Sequence, residues 1–207
     1  MAIAALILAG GQSSRMGRDK ALLPIHGIPL LRQTCDIAAQ CAAPVVVVTP
    51  FPDRYRTIVP PACDLHREQP LGAAGLFQGP AVGLAQGLRV VLTEWVLVLA
   101  CDLPYLRVDC LRRWQTQLAL APTPIALLPR TAKGWEPLCG FYRRECLPTL
   151  EEFIHGGGRS LQRWLETQPV QAIAFSAHPV EREQEQAMLF NCNTPADLAQ
   201  VRSLELP

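Results

Sequence analysis

The sequence predicts a three-layer α/β fold built on a doubly wound, mostly parallel β-sheet. Short and almost wholly apolar segments alternate with longer segments of helical character along the first two thirds of the chain. Continuous apolar strands suit a parallel sheet that is covered by helices on both faces. Alternation of strands with helices is typical of the βαβ units that form such sheets. The 207 residues, of which 49% are hydrophobic, are enough for one domain of this class.

The first part of the chain contains four predicted strands with three predicted helices between them. Pro29 and Pro80 stand at the starts of two of these helices, where proline is tolerated because the first N–H groups have no acceptor within the helix. We predict strands at Ala4–Leu8, Pro44–Thr49, Trp95–Ala100 and Pro124–Leu128, and helices at Pro29–Ala42, Ala81–Leu92 and Val108–Ala121.

The pattern changes from about Trp135 onwards. A run of three glycines at 156–158 predicts a break in the chain, and Thr194 is a candidate N-cap for the last helix. The charged run EREQEQ, which begins at Glu181, is interpreted as a solvated face. We predict strands at Gly134–Tyr142 and Val170–Phe175, and helices at Glu145–His155, Arg159–Glu166 and Pro195–Leu204. The predicted single domain, 1–207, divides into a first half of about 1–130 and an elaboration of about 131–207.

The composition argues against several classes of protein. A formal net charge of +1 gives no overall attraction to nucleic acid or to an anionic membrane, so neither is expected as a partner. The chain starts without basic residues and has no apolar run near the ~18 residues of a membrane span, which predicts neither a signal peptide nor a transmembrane helix. The eight cysteines form no C-x-x-C pair and accompany no histidine cluster. We expect free thiols in a cytoplasmic protein.

Residues 6–20, LILAGGQSSRMGRDK, place a glycine pair and three cations directly after an apolar strand. Glycine has no Cβ, so it allows backbone N–H groups to approach a ligand closely. Successive loop N–H groups form a concavity that binds anions, and Arg15, Arg18 and Lys20 add positive charge. The spacing fits neither a Walker A loop nor the dinucleotide-binding fingerprint. The segment predicts a polyphosphate site, and the alternative is a plain strand-to-helix turn with solvated basic side chains.

Asp102 follows the apolar strand Trp95–Ala100 directly, in the segment CDLPYL. Open α/β sheets bind ligands beyond the carboxyl ends of their strands. Pro104 stiffens the turn because it cannot continue a β-ladder. A carboxylate in this position suits Mg²⁺, which takes one or two protein carboxylates together with substrate phosphates. The alternative is a turn or N-cap aspartate.

Two further segments have the character of binding loops. Gly79 to Gly83, GPAVG, is a helix start with two glycines, and helix N-termini favour anions. Asn191 and Asn193 lie one residue apart, so in extended chain their amide groups point the same way. Thr194 then caps the last helix. In both segments a good helix start without a ligand is the alternative.

These four segments resemble, in the same order, the motifs of the molybdenum cofactor guanylyltransferases. The first is similar to L-x-A-G-G-x-S-x-R-M-G-x-D-K, the signature of nucleotidyltransferases with a Rossmann-like, GT-A-type fold, and the next two to G-P-x-x-G and C-D-x-P. The last resembles N-x-N-T-P-x-D-L. Cytidylyltransferases of the same cofactor pathway tend to carry an acidic residue where Asn193 stands.

The resemblance implies an enzyme that transfers GMP from GTP to molybdenum-molybdopterin and releases pyrophosphate. It implies that Asp102 holds Mg²⁺ and that Lys20 and Arg15 face the phosphates, so these three residues are the predicted catalytic set. Backbone N–H groups of the first loop, Ala9 among them, are expected to fix the nucleotide. The predicted nucleotide-binding residues are Leu8, Ala9, Gly10, Gly11, Lys20, Gly79, Gly83 and Asp102.

The resemblance also implies that Arg159, Asn191 and Asn193 bind the acceptor. Proteins that deliver the cofactor and molybdoenzymes that receive it are the implied partners. The chain departs from the family at the end of the second strand, where Thr49 and Pro50 occupy the region of an expected asparagine. It departs again where an aspartate for the guanosine is expected, since the sequence there reads REQP and contains Glu68.

Two other functions remain open from the sequence. One is a cytidylyltransferase of the same fold that acts on molybdopterin or on a sugar or isoprenoid phosphate. The other is a nucleotide-binding regulator without turnover, against which the presence of both Lys20 and Asp102 argues.

Overall fold

The computed structural model describes residues 1–10, 19–70, 79–120 and 123–203. Its strands are β1 (Ile3–Leu8), β2 (Pro24–Ile25), β3 (Ile28–Pro29), β4 (Val45–Thr49), β5 (Cys63–Arg67), β6 (Trp95–Ala100), β7 (Ala126–Leu128), β8 (Arg130–Thr131), β9 (Gly134–Trp135), β10 (Cys139–Arg143) and β11 (Val170–Ala172). Its helices are α1 (Leu30–Cys41), α2 (Pro52–Tyr55), α3 (Pro80–Val90), α4 (Val108–Thr116), α5 (Leu147–His155), α6 (Leu161–Leu165), α7 (Pro179–Ala187) and α8 (Pro195–Ser203). Short 3₁₀ helices lie at Lys20–Leu22, Gln117–Leu120 and Arg144–Cys146.

A seven-stranded sheet with the order β11-β7-β10-β6-β1-β4-β5 forms the centre of the fold. Only β10 runs antiparallel to its neighbours in this sheet, and the two hairpins β2–β3 and β8–β9 lie outside it. The predicted mostly parallel α/β sheet is therefore confirmed. The single antiparallel strand reverses the chain direction between β7 and β6, so those two strands are parallel and their carboxyl ends lie at the same edge.

Helices cover both faces of the sheet because every central strand is apolar on both sides. Ala5 and Ile7 of β1 pack in a cluster that contains residues of α1 and α4. Ala4 and Leu6, on the opposite face, pack with residues of α3, α5 and α6. Gly87 of α3 allows this second contact, since a Cβ there would stand 2.7 Å from Leu6 Cδ1. The three predicted layers are thus helix, sheet and helix.

Several elements differ from the prediction. The predicted strand Gly134–Tyr142 is two strands, β9 and β10, with Pro137 between them, where the missing N–H cannot extend a ladder. The helices α2 and α7, the hairpin β2–β3 and the strand β5 were not predicted. In β5, CDLHR, Cys63 is buried and the other four residues are partly or fully exposed, because β5 is an edge strand with only one neighbour.

Helix α7 agrees with the interpretation of the EREQEQ run as a solvated face at every position except Glu185. Glu185 is fully buried, and its carboxylate accepts hydrogen bonds from the Trp114 indole N–H at 3.0 Å and from the Ser176 backbone N–H at 2.6 Å. Arg113 lies 3.3 Å from the same carboxylate. A buried carboxylate is tolerated when it is paired and hydrogen-bonded, as it is here. This group joins α7 to α4 and fixes the segment that leads to Asn191.

All eight cysteines, each of which the structure describes, are free thiols. Within the described ranges no helix is long and apolar enough to cross a membrane. The same ranges contain no group of three or more His, Cys, Asp or Glu side chains arranged to hold a metal ion.

Candidate active site

A cleft of about 350 Å³ opens at the carboxyl ends of β1 and β6. Leu8, Ala9 and Gly10 line it on the β1 side, and Ala100, Cys101 and Asp102 line it on the β6 side. This is the edge at which open α/β sheets bind ligands. Leu138 and Asn191 complete the wall, so both predicted halves of the chain contribute to one cleft.

Lys20 connects three distant segments in the cleft. Its ammonium donates a hydrogen bond to Asn193 Oδ1 at 2.5 Å and lies 3.6 Å from Asp102 Oδ2. The three side chains come from the loop after β1, the turn after β6 and the start of α8. The arrangement concentrates one cation and one anion at the floor of a partly closed cleft, where charge interactions are stronger than in water.

Asp19 fixes the backbone that carries Lys20. One carboxylate oxygen accepts a hydrogen bond from the Ala21 N–H at 3.2 Å and so caps the short helix Lys20–Leu22. The other accepts hydrogen bonds from Arg54 at 2.9 Å and from the Tyr55 hydroxyl at 2.8 Å. Burial and this hydrogen bond to Asp19 raise the pKa of Tyr55 above its usual value. Asp19 therefore holds the segment in place through α2.

Asp102 is half-buried, and one of its two carboxylate oxygens, Oδ1, is fully buried. Its Oδ1 has no hydrogen-bond partner among the described residues. Burial raises the pKa of Asp102 above its usual value, and the nearby Lys20 ammonium partly opposes this rise. An uncompensated buried carboxylate oxygen is costly. It fits a hard cation such as Mg²⁺, for which Asp102 is the predicted ligand.

The backbone of Asp102 is also tied to the segment before α8. Its carbonyl oxygen accepts a hydrogen bond from the Cys192 N–H at 2.9 Å. This bond holds the segment that contains Asn191 and Asn193 against the turn after β6. Asn191 lines the cleft, and Asn193 contacts Lys20.

Glu68, which follows β5, lines the cleft as a third carboxylate beside Asp19 and Asp102. It is 6% exposed, and its carboxylate accepts no hydrogen bond from the described residues. A Cβ on Gly10 would stand 3.0 Å from Glu68 Oε2, and a Cβ on Gly83 would stand 3.5 Å from the same atom. These two glycines therefore leave the space that the carboxylate occupies. Burial raises the pKa of Glu68 to about 7.

The backbone directly after β1 is hydrogen-bonded to the neighbouring strand β4. The Ala9 N–H donates to Val48 O at 3.0 Å, and the Ala9 carbonyl accepts a hydrogen bond from the Thr49 hydroxyl at 2.7 Å. The sheet therefore already uses the Ala9 N–H, which was expected to fix the nucleotide. Thr49, at the end of β4, stabilises the cleft wall through this hydroxyl.

The other residues that were predicted to bind the nucleotide lie at the start of α3. Gly79 and Gly83 line the cleft at the start of α3, and Gly79 has φ +85°, which favours glycine. Seven predicted nucleotide-binding residues that the structure describes thus line one cleft, and their contacts with a nucleotide stay predictions. Gly11 and the predicted catalytic residue Arg15 lie outside the described residues.

Arg159 differs from the two asparagines in its surroundings. One of its guanidinium nitrogens donates to Ile154 O at 2.8 Å and to Gly158 O at 2.6 Å, next to the carboxyl end of α5. A cation there interacts favourably with the helix dipole. Arg159 is not among the residues that line the cleft. Its predicted role at the acceptor stays a prediction, and the structure gives it a capping role.

Sequence reasoning underestimated Glu68. The signal for its role was its position, because it is an acidic residue near the place where the resemblance implied an aspartate. Its mostly polar neighbours do not predict that it is buried. Its burial against Gly10 and Gly83 depends on the pairing of β4 with the unpredicted strand β5.

A family model described as a MobA-like NTP transferase domain matches residues 5–172. The chain belongs to this family. It is 54% identical to the probable molybdenum cofactor guanylyltransferase of Trichormus variabilis over 97% of this chain and 90% of that protein. It is 44% identical to the probable molybdenum cofactor guanylyltransferase of Synechococcus elongatus over 95% of this chain and 96% of that protein. The family predicted from the four motifs is confirmed.

A solved structure shows the same fold. The molybdopterin-guanine dinucleotide biosynthesis protein A of Archaeoglobus fulgidus superimposes with a TM-score of 0.74 at 22% identity, and the alignment covers 96% of each chain. The chain is thus a member of a nucleotidyltransferase family with the corresponding fold.

Proposed function

We propose that the protein transfers GMP from GTP to molybdenum-molybdopterin and releases pyrophosphate. The observation that carries the proposal is the convergence of Lys20, Asp102 and Asn193 in one cleft at the carboxyl edge of the sheet. Its similarity to two probable molybdenum cofactor guanylyltransferases supports the same reaction. We infer a cytoplasmic enzyme that receives its acceptor from a delivery protein and passes its product to molybdoenzymes.

In this reaction the acceptor phosphate attacks the α-phosphorus of GTP in line and pyrophosphate leaves. The attacking phosphate is already anionic, so no general base is required. The protein contributes positioning and charge stabilisation. The Lys20 ammonium, held between Asn193 and Asp102, is placed to meet phosphate oxygens.

Asp102 would hold Mg²⁺ through the carboxylate oxygen that the described residues leave without a partner. Such an ion, when bound, neutralises negative charge on the α- and β-phosphates. Asp102 and Lys20 would then have different roles, because the carboxylate would hold the cation and the ammonium would face phosphate directly.

We propose that Glu68 selects guanine. The Watson–Crick edge of guanine presents two adjacent donors, N1–H and the N2 amino group, and an ionised carboxylate accepts from both. Cytosine presents one amino group beside an acceptor nitrogen, which would face the carboxylate unfavourably. A buried group left without its partner penalises the wrong base.

We expect the purified protein to use GTP in strong preference to CTP with molybdenum-loaded molybdopterin. The preference should reach about 10²-fold or more in kcat/KM, because a site built for hydrogen bonds rejects a mismatched base. Pyrophosphate release across the four nucleoside triphosphates measures it. Faster transfer from CTP would favour the cytidylyltransferase alternative, and nucleotide binding without any release would favour the regulator.

We expect GTP affinity to rise as the pH increases through about 7, the value to which burial raises the Glu68 pKa. The ionised carboxylate accepts the two guanine donors, whereas the protonated form, populated below that pKa, offers a donor of its own. Calorimetry of GTP between pH 6 and 8 measures the trend, within the range about one unit either side of the pKa.

Glu68→Gln should flatten that pH profile and weaken GTP binding at pH 8. Glu166→Gln removes an exposed carboxylate of similar size and serves as the matched control. If GTP affinity depended on pH in Glu68→Gln as it does in the wild type, Glu68 would have no role in guanine recognition.

A further inference from the structure

The hairpin β8–β9, residues 130–135, carries an unusual set of exposed groups. Arg130 and Lys133 are exposed, and neither forms an ion pair with any carboxylate that the structure describes. The Arg130 guanidinium lies over the Trp135 ring, 5.1 Å from its centroid. This pair presents a flat cationic and aromatic surface beside a second cation.

The hairpin is held firmly despite its exposure. The Gln162 side chain of α6 accepts a hydrogen bond from the Trp135 N–H at 3.3 Å and donates one to the Trp135 carbonyl. The Thr131 hydroxyl donates to the Glu136 carboxylate at 3.2 Å, and the Glu136 N–H donates to Pro129 O at 3.0 Å. A surface fixed in this way loses little conformational entropy when a ligand binds.

The topology puts the start of the hairpin at the sheet edge where the cleft opens, and this part of the edge is called the rim. It begins just after β7, whose carboxyl end lies at the same edge as that of β6 because both strands are antiparallel to β10. Two strand spacings separate β7 from β6, about 10 Å. The chain then returns to the cleft at Leu138, which lines it and whose carbonyl accepts a hydrogen bond from the Ala100 N–H at 2.8 Å.

We propose that the hairpin β8–β9 binds the body of the acceptor, a fused heteroaromatic ring system that carries a phosphate. Arg130 and Lys133 face its negative charge, and the guanidinium–indole pair of Arg130 and Trp135 lies against its flat rings. The proposal rests on the proposed function. The acceptor phosphate has to lie near Lys20 and Asp102 for transfer, so the rest of the molecule extends along the rim by about the distance between β6 and β7.

The rim has the charge that this ligand needs. In residues 129–138, two cations stand against one carboxylate, and that carboxylate, Glu136, is half-buried and bonded to Thr131. In the strand order, Lys20, Asp102 and Glu68 follow β1, β6 and β5, which lie across β10 from the strand β7 that precedes the hairpin. We therefore expect GTP bound among these three residues not to use the hairpin. The hairpin should therefore affect the second substrate only.

The test is the double variant Arg130→Ala/Lys133→Ala in the GMP transfer assay with molybdenum-loaded molybdopterin. We expect the KM for the acceptor to rise about tenfold and the KM for GTP and kcat at saturating acceptor to stay near wild type, since the lost contacts lie away from the reacting atoms. The matched control is Arg144→Ala/Arg163→Ala, which removes two exposed arginines, one of them at the opposite edge of the sheet after β10.

A second measurement is independent of turnover. Trp95, Trp114 and Trp164 are fully buried, so Trp135 is the tryptophan that a neutral quencher in solution reaches best. Acceptor should protect tryptophan fluorescence from acrylamide in the wild type, and GTP alone should not. Trp135→Phe should abolish that protection.

The outcomes separate this inference from the proposed function. A wild type that transfers GMP to no pterin acceptor overturns both. A wild type that transfers GMP normally, with a double variant whose acceptor KM equals that of the control, overturns the hairpin assignment alone. If the double variant does not fold, Arg130→Lys/Lys133→Gln, which keeps hydrogen-bonding groups at both positions, is measured in its place, with a KM increase of about threefold expected.

Discussion

Asp102→Asn is expected to keep the fold and to lose nearly all Mg²⁺-dependent GMP transfer. The amide has the shape of the carboxylate but lacks the charge that a hard cation requires. Loss of charge stabilisation at the reacting phosphates is worth a few kcal/mol, so the rate should fall by about 10²-fold or more. Initial rates at several Mg²⁺ concentrations measure the loss.

The stability of the same variant separates a functional carboxylate from a structural one. Burial raises the Asp102 pKa, so the folded protein disfavours the charged form; the cost accumulates as the pH rises from the pKa of the unfolded chain to the higher pKa of the folded protein and stays constant above it. The neutral amide avoids it. The melting temperature of Asp102→Asn at pH 8 should therefore equal or exceed that of the wild type.

Asp64→Asn is the control for this variant, because Asp64 is an exposed carboxylate on the edge strand β5. Its rate and melting temperature should match the wild type. Near-normal turnover of Asp102→Asn would remove Asp102 from its role as the metal ligand.

Lys20→Ala is expected to weaken GTP binding by about 10- to 100-fold and to slow transfer, because hydrogen bonds to charged groups contribute about 1.5–3 kcal/mol. The loss should be smaller for GMP, since the ammonium is proposed to meet the phosphates and its contribution grows with their number. Calorimetry with both nucleotides measures the difference. Equal losses for GTP and GMP would place Lys20 against another part of the ligand.

Asn193→Ala is an informative companion to Lys20→Ala. The sequence placed Asn193 with the acceptor, whereas the structure places its oxygen 2.5 Å from the Lys20 ammonium. Loss of this partner lets the ammonium move and should weaken GTP binding by less than Lys20→Ala does. An Asn193→Ala variant with wild-type GTP affinity would restrict this residue to the acceptor side.

The fold was largely predictable because its central strands are continuous apolar runs. β1, β4, β6 and β7 and the three helices that follow the first three of them were located from hydrophobic pattern and proline position, and the structure places them within a few residues of the prediction. Edge position explains why β5 was missed, since one uncovered side permits Asp64 and His66 in a strand. Helix α7 was missed because its charged sequence hides the buried Glu185.

The sequence by itself determined the family, the α/β class and the two segments that contain Lys20 and Asp102. A glycine-rich turn after an apolar strand, or an aspartate at a strand end, is a local pattern, and local patterns can be read along the chain.

Only the tertiary structure decided how the segments meet. Lys20 and Asn193 are 173 positions apart, and their contact depends on the Cys192–Asp102 backbone bond and on the packing of α7. Glu68 lies in the cleft because β5 pairs with β4 and because Gly10 and Gly83 leave it space. Such contacts arise when elements that are distant in the sequence pack against one another, and no periodicity in the sequence predicts them.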